Sequence, residues 1–188
     1  MKWMCFICVL ALSLGCKEGS ESLQVPYNQE DSPFYLPYPV GTEYVCMQAW
    51  NGSLSHYGVF SYAVDFSMQI GTIVTASRRG IVEWIESGYS NSDSVPGHEN
   101  VIIIRHEDST FARYVHLSPG SARVHIGQSV NIGDTLAFSG QSGTPIPHLH
   151  FDITKGCNDR NCQTIPFVFF NTISQPHGPV VGTVYPAQ

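Results

Sequence analysis

Two histidines, His148 and His150, stand two positions apart in the run Pro147-His148-Leu149-His150-Phe151-Asp152. The run is apolar and β-prone, and Ile153 continues it. Side chains at i and i+2 of a strand project from the same face, so one rigid element offers two imidazoles side by side. That pairing suits a metal ligand next to a second histidine that handles protons. A hydrolytic zinc site takes three protein donors, imidazole nitrogens or carboxylate oxygens, and keeps a fourth position for water. Candidate donors occur earlier in the chain: His56, in Ser55-His56-Tyr57-Gly58, and Asp65, in Tyr62-Ala63-Val64-Asp65-Phe66. An aspartate inside an apolar strand-like run must be paired, hydrogen-bonded or metal-bound. His116 closes the run Phe111–His116 and is a further candidate.

These side chains need elements to hold them. From Gly41 onward the pattern is one of short β-like runs broken by Gly, Asn, Asp and Ser. Tyr62–Phe66, Thr72–Ala76 and Gly80–Ile85 are three such runs. Val101–Arg105 is apolar up to its last residue and reads as a central strand. Alternation in Phe111–His116 turns Phe111, Arg113 and Val115 one way and Ala112, Tyr114 and His116 the other. Val124–Val130 leads into Ile132–Ala137, and residues 148–153 form the strand of the histidine pair. Ile165–Phe170, interrupted from Pro166, reads as an edge strand or extended segment. Gly88–Glu99 is a long polar hairpin loop, suited to the rim of a binding site or to a neutral surface. No amphipathic helix stands out. The expected fold is mostly β, in curved antiparallel sheets of short strands, with few or no helices.

The composition fits that fold. Charged residues make up only 13% of the 188, apolar ones 43%, with 17 glycines and 12 prolines, a loop-rich globular mixture. The net charge of −6 and the lack of any basic cluster beyond Arg78-Arg79 argue against nucleic-acid binding. Residues 1–16 read as a targeting segment: Lys2, then an apolar run from Trp3 to Leu14 too short to span a bilayer. Its end, Ser13-Leu14-Gly15-Cys16, resembles a bacterial lipobox, with Ser13 where leucine is commoner. Acylation of Cys16 would anchor the chain by about 0.8 kcal/mol per buried methylene. Ordinary signal cleavage or an uncleaved anchor are the alternatives, and each implies export. Residues 17–40 read as an extended, proline-bearing tether, and residues 41–188 as the functional domain. In an oxidising compartment Cys157 and Cys162, separated by Asn158-Asp159-Arg160-Asn161, suit a small disulfide loop; half of a metal site is the rival. Cys46 reads as a buried thiol.

In order, His56, Asp65, His116, His148 and His150 resemble the lysostaphin-like (LytM-type) zinc endopeptidases of bacterial peptidoglycan. Tyr62-Ala63-Val64-Asp65-Phe66, Tyr114-Val115-His116-Leu117, Gly133-Asp134, Ser139-Gly140-Gln141-Ser142-Gly143 and His148-Leu149-His150-Phe151 carry the likeness. It implies a groove floored by antiparallel strands. It implies that His56, Asp65 and His150 bind one zinc ion, and that His116 and His148 assist proton transfer and stabilise the oxyanion. The substrate is then a peptide cross-link of the cell wall, and the place of action the cell envelope. Many members place the first histidine as His-x-x-x-Asp, whereas eight residues separate His56 from Asp65 here. Tyr57, Tyr62 and Tyr114 could supply hydroxyl donors or simply pack. His98, His106, His125 and His177 look peripheral. The alternative is a catalytically inactive wall-binding or hydrolase-activating lipoprotein, which holds if the His56 loop points away from Asp65.

Overall fold

The computed structural model describes residues 28–188. The targeting segment, Cys16 and residues 17–27 of the tether lie outside the described residues. Ten short strands account for the fold: β1 (Glu43–Gln48), β2 (Val64–Phe66), β3 (Ile73–Thr75), β4 (Gly80–Glu86), β5 (Val101–Arg105), β6 (Thr110–Val115), β7 (Ser129–Val130), β8 (Thr135–Phe138), β9 (Leu149–Lys155) and β10 (Val184–Pro186). Eight of them form one antiparallel sheet in the order β10-β1-β2-β9-β6-β5-β4-β7, and β3 pairs with β8. Two 3-10 turns, Gln29–Asp31 and Gly58–Phe60, are the helical elements among the described residues. The expected mostly β, antiparallel architecture is what the chain adopts.

One face of the large sheet is core. Val82, Ile102, Ile104, Ala112, Tyr114, Leu149, Phe151 and Ile153 are buried there, each on the alternate register that a half-covered strand requires. Phe167 and Phe169 close over Phe151, with ring centroids 5.4 and 5.7 Å away. The stretch Ile165–Phe170 is extended but forms no strand: Ile165 donates to the Ile153 carbonyl (2.8 Å) and the chain then leaves the sheet. Phe34, Leu36 and Tyr38 join the same core, so the packed body begins upstream of Gly41. Each such side chain contributes roughly 1.5–3 kcal/mol when fully buried. Val124–Gln128 forms turns instead of a strand, with Gly127 at φ +86° as one of the reasons.

The other face is left open as a groove. β5 is an interior strand, as expected, and shows the division: Ile102 and Ile104 go to the core, Val101 and Ile103 to the groove. In β4 a bulge between Val82 and Trp84 breaks alternation. Simple alternation would send Trp84 inward with Val82; the bulge turns it out, 52% exposed, onto the groove floor.

His106 tests the tightness of this packing. It is buried against the edge of Phe34, donates Nδ1–H to the Arg79 carbonyl (2.8 Å), and leaves Nε2 without a partner. Burial pushes its pKa down to about 4. The unfolded chain therefore binds a proton at His106 near pH 6.5 that the folded chain refuses until about pH 4. Stability contributed by this group is full above pH 6.5 and falls by about 3 kcal/mol on acidification to pH 4. Urea melts from pH 7 to 4 on wild type and His106→Gln should show a steeper loss for wild type by that amount. Parallel curves would refute the assignment.

Candidate metal centre

The groove has a volume of about 1150 Å³ and crosses the strands from β1 to β4. Its floor includes Asp65 from β2, His150 and Asp152 from β9, Arg113 and Val115 from β6, and Trp84 and Glu86 from β4. β2 and β9 are antiparallel neighbours with Asp65 directly opposite His150, so pairing alone brings a carboxylate against an imidazole. The flanking residues Val64, Phe66, Leu149 and Phe151 are buried on the far face and lock that register.

His150 Nδ1 lies 2.9 Å from Asp65 Oδ1, and His56 Nε2 lies 3.1 Å from the same oxygen. The loop carrying His56 thus folds back over the sheet toward Asp65. The donor atoms of His56, Asp65 and His150 all lie within 4.8 Å of one another. His56 is completely buried, and its Nδ1 faces the Ala49 carbonyl at 3.0 Å. A carbonyl can only accept, so Nδ1 carries the proton and Nε2 presents a lone pair toward a carboxylate. That Nε2 has no hydrogen-bond partner despite the 3.1 Å approach. Two buried acceptors facing each other need a proton or a metal cation between them. A tetrahedral zinc ion with bonds near 2.0–2.1 Å holds its donors roughly 3.4 Å apart, so the spacing and the donor set fit.

Gln48 belongs to this site although no sequence pattern singles it out. Its Nε2 donates to Asp65 Oδ2 (2.9 Å) and to Ser55 Oγ (2.7 Å), and its Oε1 accepts from the Leu54 and Ser55 amides (both 3.2 Å). One side chain therefore orients Asp65 and ties down the loop that delivers His56. A bulge between Cys46 and Gln48 places Gln48 opposite Asp65, which is why the period of the strand hides it. Burial would raise the Asp65 pKa, but the neighbouring imidazoles of His150 and His56 outweigh it and hold the carboxyl well below its ordinary value. Burial lowers and Asp152 and Asp65 raise the pKa of His150, with the net result near 9.

His116 and His148 form a second pair, ring centroids 4.5 Å apart. His116 Nδ1 donates to the Ser142 carbonyl (2.7 Å) and His148 Nδ1 to the Ile146 carbonyl (2.8 Å). Both Nε2 atoms are therefore lone-pair acceptors, and His148 Nε2 lies 3.7 Å from Asp65 Oδ1. Burial lowers both pKa values, that of His116 to about 3, so both rings are neutral at pH 7. Alternation groups His116 with Ala112 and Tyr114. Instead β6 ends at Val115, His116 takes φ +64°, and this left-handed turn brings its ring into the groove.

The three tyrosines Tyr57, Tyr62 and Tyr114 divide between packing and the groove. Tyr114 is fully buried on the core side, bonded to Ser77, and cannot reach the groove; Tyr62 packs edge-on against Trp50; of these three, Tyr57 lines the groove. Among the outlying histidines, His98 stacks on Tyr89 and pairs with Asp93 in the 88–99 loop, and His125 is turn-bound and exposed. Cys157 and Cys162 are joined by a disulfide and Cys46 is a buried free thiol.

The chain is similar to known proteins in sequence and in fold. Lysostaphin of Staphylococcus staphylolyticus is 33% identical over 153 residues, covering 81% of this chain and 27% of its own. Peptidoglycan DD-endopeptidase ShyA of Vibrio cholerae is 34% identical over 90 residues, 47% of this chain and 19% of its own. The chain thus spans about a quarter or less of the length of these two relatives. A mutant catalytic domain of the prophage-encoded M23 protein EnpA from Enterococcus faecalis superposes with a TM-score of 0.54 at 25% identity, covering 70% of this chain and 94% of that one. The model of Peptidase family M23 matches residues 59–162, from just after His56 through Asp65, His116 and the His148–His150 strand, and with over half of its length so matched the chain belongs to that family.

Proposed function

We propose that the chain is a zinc-dependent endopeptidase that hydrolyses peptide cross-links of bacterial peptidoglycan. The observation that carries this reading is the buried, unpartnered His56 Nε2 facing the Asp65 carboxylate that His150 shares. His56 Nε2, Asp65 Oδ1 and His150 Nδ1 would hold the ion. When bound, zinc supplies a water acidified to a pKa near 7 and a Lewis acid for the scissile carbonyl. His116 and His148 do the proton work. Each is neutral, each is fixed through Nδ1, and each aims a free Nε2 into the groove. One Nε2 accepts the proton of the attacking water. Once protonated, an imidazole becomes a donor, for the tetrahedral oxyanion and then for the departing amine. The groove walls include Leu54, Tyr57 and Ile146, an apolar rim along which an extended peptide can lie.

The same reading extends to the cell envelope, with lipid at Cys16 holding the chain there. It is supported by the names of the relatives, which include a peptidoglycan endopeptidase, and by the Lys2–Cys16 segment, which reads as an export signal. The test is digestion of purified peptidoglycan with mass analysis of the new termini. New amino ends should form with one zinc per chain, vanish on chelation, and return with added zinc. A zinc-loaded chain that releases no new amino ends would overturn the enzymatic reading.

A further inference from the structure

Two buried polar side chains, Asp152 and Arg113, stand in line behind the proposed ligand His150. His150 Nε2 lies 3.0 Å from Asp152 Oδ2. Asp152 is wholly buried and is gripped by two of the three guanidinium nitrogens of Arg113: Nε donates to Oδ1 (2.6 Å) and Nη2 to Oδ2 (2.9 Å). Arg113 and Asp152 are directly opposed in the β6–β9 register. The third arm, Nη1, donates to the Asp159 carbonyl (2.8 Å), inside the loop closed by Cys157–Cys162. That loop also reaches the opposite wall, where Arg160 lies 3.5 Å from Glu99.

We infer that Arg113 is a positioning residue for the metal centre: through Asp152 it holds His150 in the tautomer that presents Nδ1 to the ion, and the disulfide loop fixes Arg113 from behind. The inference rests on the zinc reading of His150. The physical argument is one of satisfied valences. Both ring nitrogens of His150 face carboxylates that only accept, Asp65 at Nδ1 and Asp152 at Nε2; with Asp65 turned to the ion, the single proton of a metal-bound, neutral His150 stays on Nε2 to satisfy Asp152. Its Nδ1 lone pair then faces Asp65 and the shared donor cluster. The bidentate fork keeps Asp152 from rotating away, which a lysine could not do. Unpaired, Asp152 would be a buried anion and would draw His150 or water toward itself; paired, it has one free direction, which points at the imidazole. Carboxylate partners behind a metal-bound histidine typically change metal affinity by about 10- to 100-fold.

Wild type, Asp152→Asn, Arg113→Lys and the double variant Cys157→Ser/Cys162→Ser are compared as zinc complexes and as zinc-free proteins. Zinc affinity is read by competition with a chromogenic chelator, the His150 tautomer by long-range 1H–15N NMR of the zinc-loaded protein, and folding by thermal melting without metal. Wild type should show one zinc and a slowly exchanging proton on His150 Nε2. Asp152→Asn should bind zinc about 10- to 100-fold more weakly. Arg113→Lys should fall between it and wild type, and the cysteine variant should lose affinity in the same direction by less. Variants that melt earlier yet keep wild-type zinc affinity would reduce Arg113 to a structural role and overturn the inference. So would a wild-type His150 with its proton on Nδ1, a result that needs no variant to fold. A wild type that binds no zinc would instead overturn the metal reading itself, and is a separate outcome.

Discussion

Alanine at His116 or at His148 should leave one zinc per chain and lower turnover on peptidoglycan by about 10²- to 10⁴-fold, the range for loss of a positioned proton-transfer group. Neither ring belongs to the His56–Asp65–His150 cluster, so metal content should be untouched. The two rings are 4.5 Å apart and each is oriented by a backbone carbonyl, of Ser142 and of Ile146. Glutamine cannot replace them, because its amide nitrogen has no basic lone pair to accept a proton. Groups that act as one unit are not additive, so the double variant should be little worse than the poorer single one. Turnover is followed by the appearance of new amino termini, and zinc by elemental analysis. Near wild-type turnover in either variant removes that histidine from the mechanism.

The second large effect is on metal binding itself. Asp65→Ala should drop zinc from one per chain to near zero at micromolar metal. Sharing the roughly 10–16 kcal/mol of a four-ligand zinc site evenly gives each ligand about 3 kcal/mol, a factor above 100. Asp65 should exceed that share, because its Oδ1 faces both imidazoles and its loss leaves Gln48 Nε2 with only Ser55 Oγ to bond. His56→Ala should show the same loss of zinc. Ser61→Ala is the control: Ser61 stands four residues before Asp65, where a His-x-x-x-Asp motif would put its histidine, but its hydroxyl only donates to the Gly58 carbonyl (2.7 Å). Zinc retained in His56→Ala and lost in Ser61→Ala would reverse the ligand assignment. Unchanged zinc in Asp65→Ala would remove the carboxylate from the centre.

Much of this is legible without coordinates. The His148/His150 pair reads directly from two-residue alternation, because Leu149 between them and Phe151 after them go inward. Asp65 stands out because an aspartate between Val64 and Phe66 needs a partner, whether an ion pair, a hydrogen bond or a metal. Asp152, on the same face as His150 by the same alternation, is open to that reasoning and carries the link to Arg113. Other features break the period on which such reasoning depends. A left-handed residue flips His116, and two bulges flip Trp84 and Gln48. The covered stretch Phe34–Tyr38 has no period to read, since its burial comes from a sheet face formed far away in sequence.

The sequence by itself determined the residue types, the family likeness and the strand faces wherever no bulge or left-handed residue interrupts the strand, because side-chain alternation and hydrophobic burial are local consequences of residue order. Only the tertiary structure decided that a loop histidine nine positions before Asp65 turns back to within 3.1 Å of it, and that Arg113 stands behind His150. Those are distances between segments that the chain order leaves free. They are set by cross-strand register, by bulges and by one buried glutamine, none of which has a signature in composition or period.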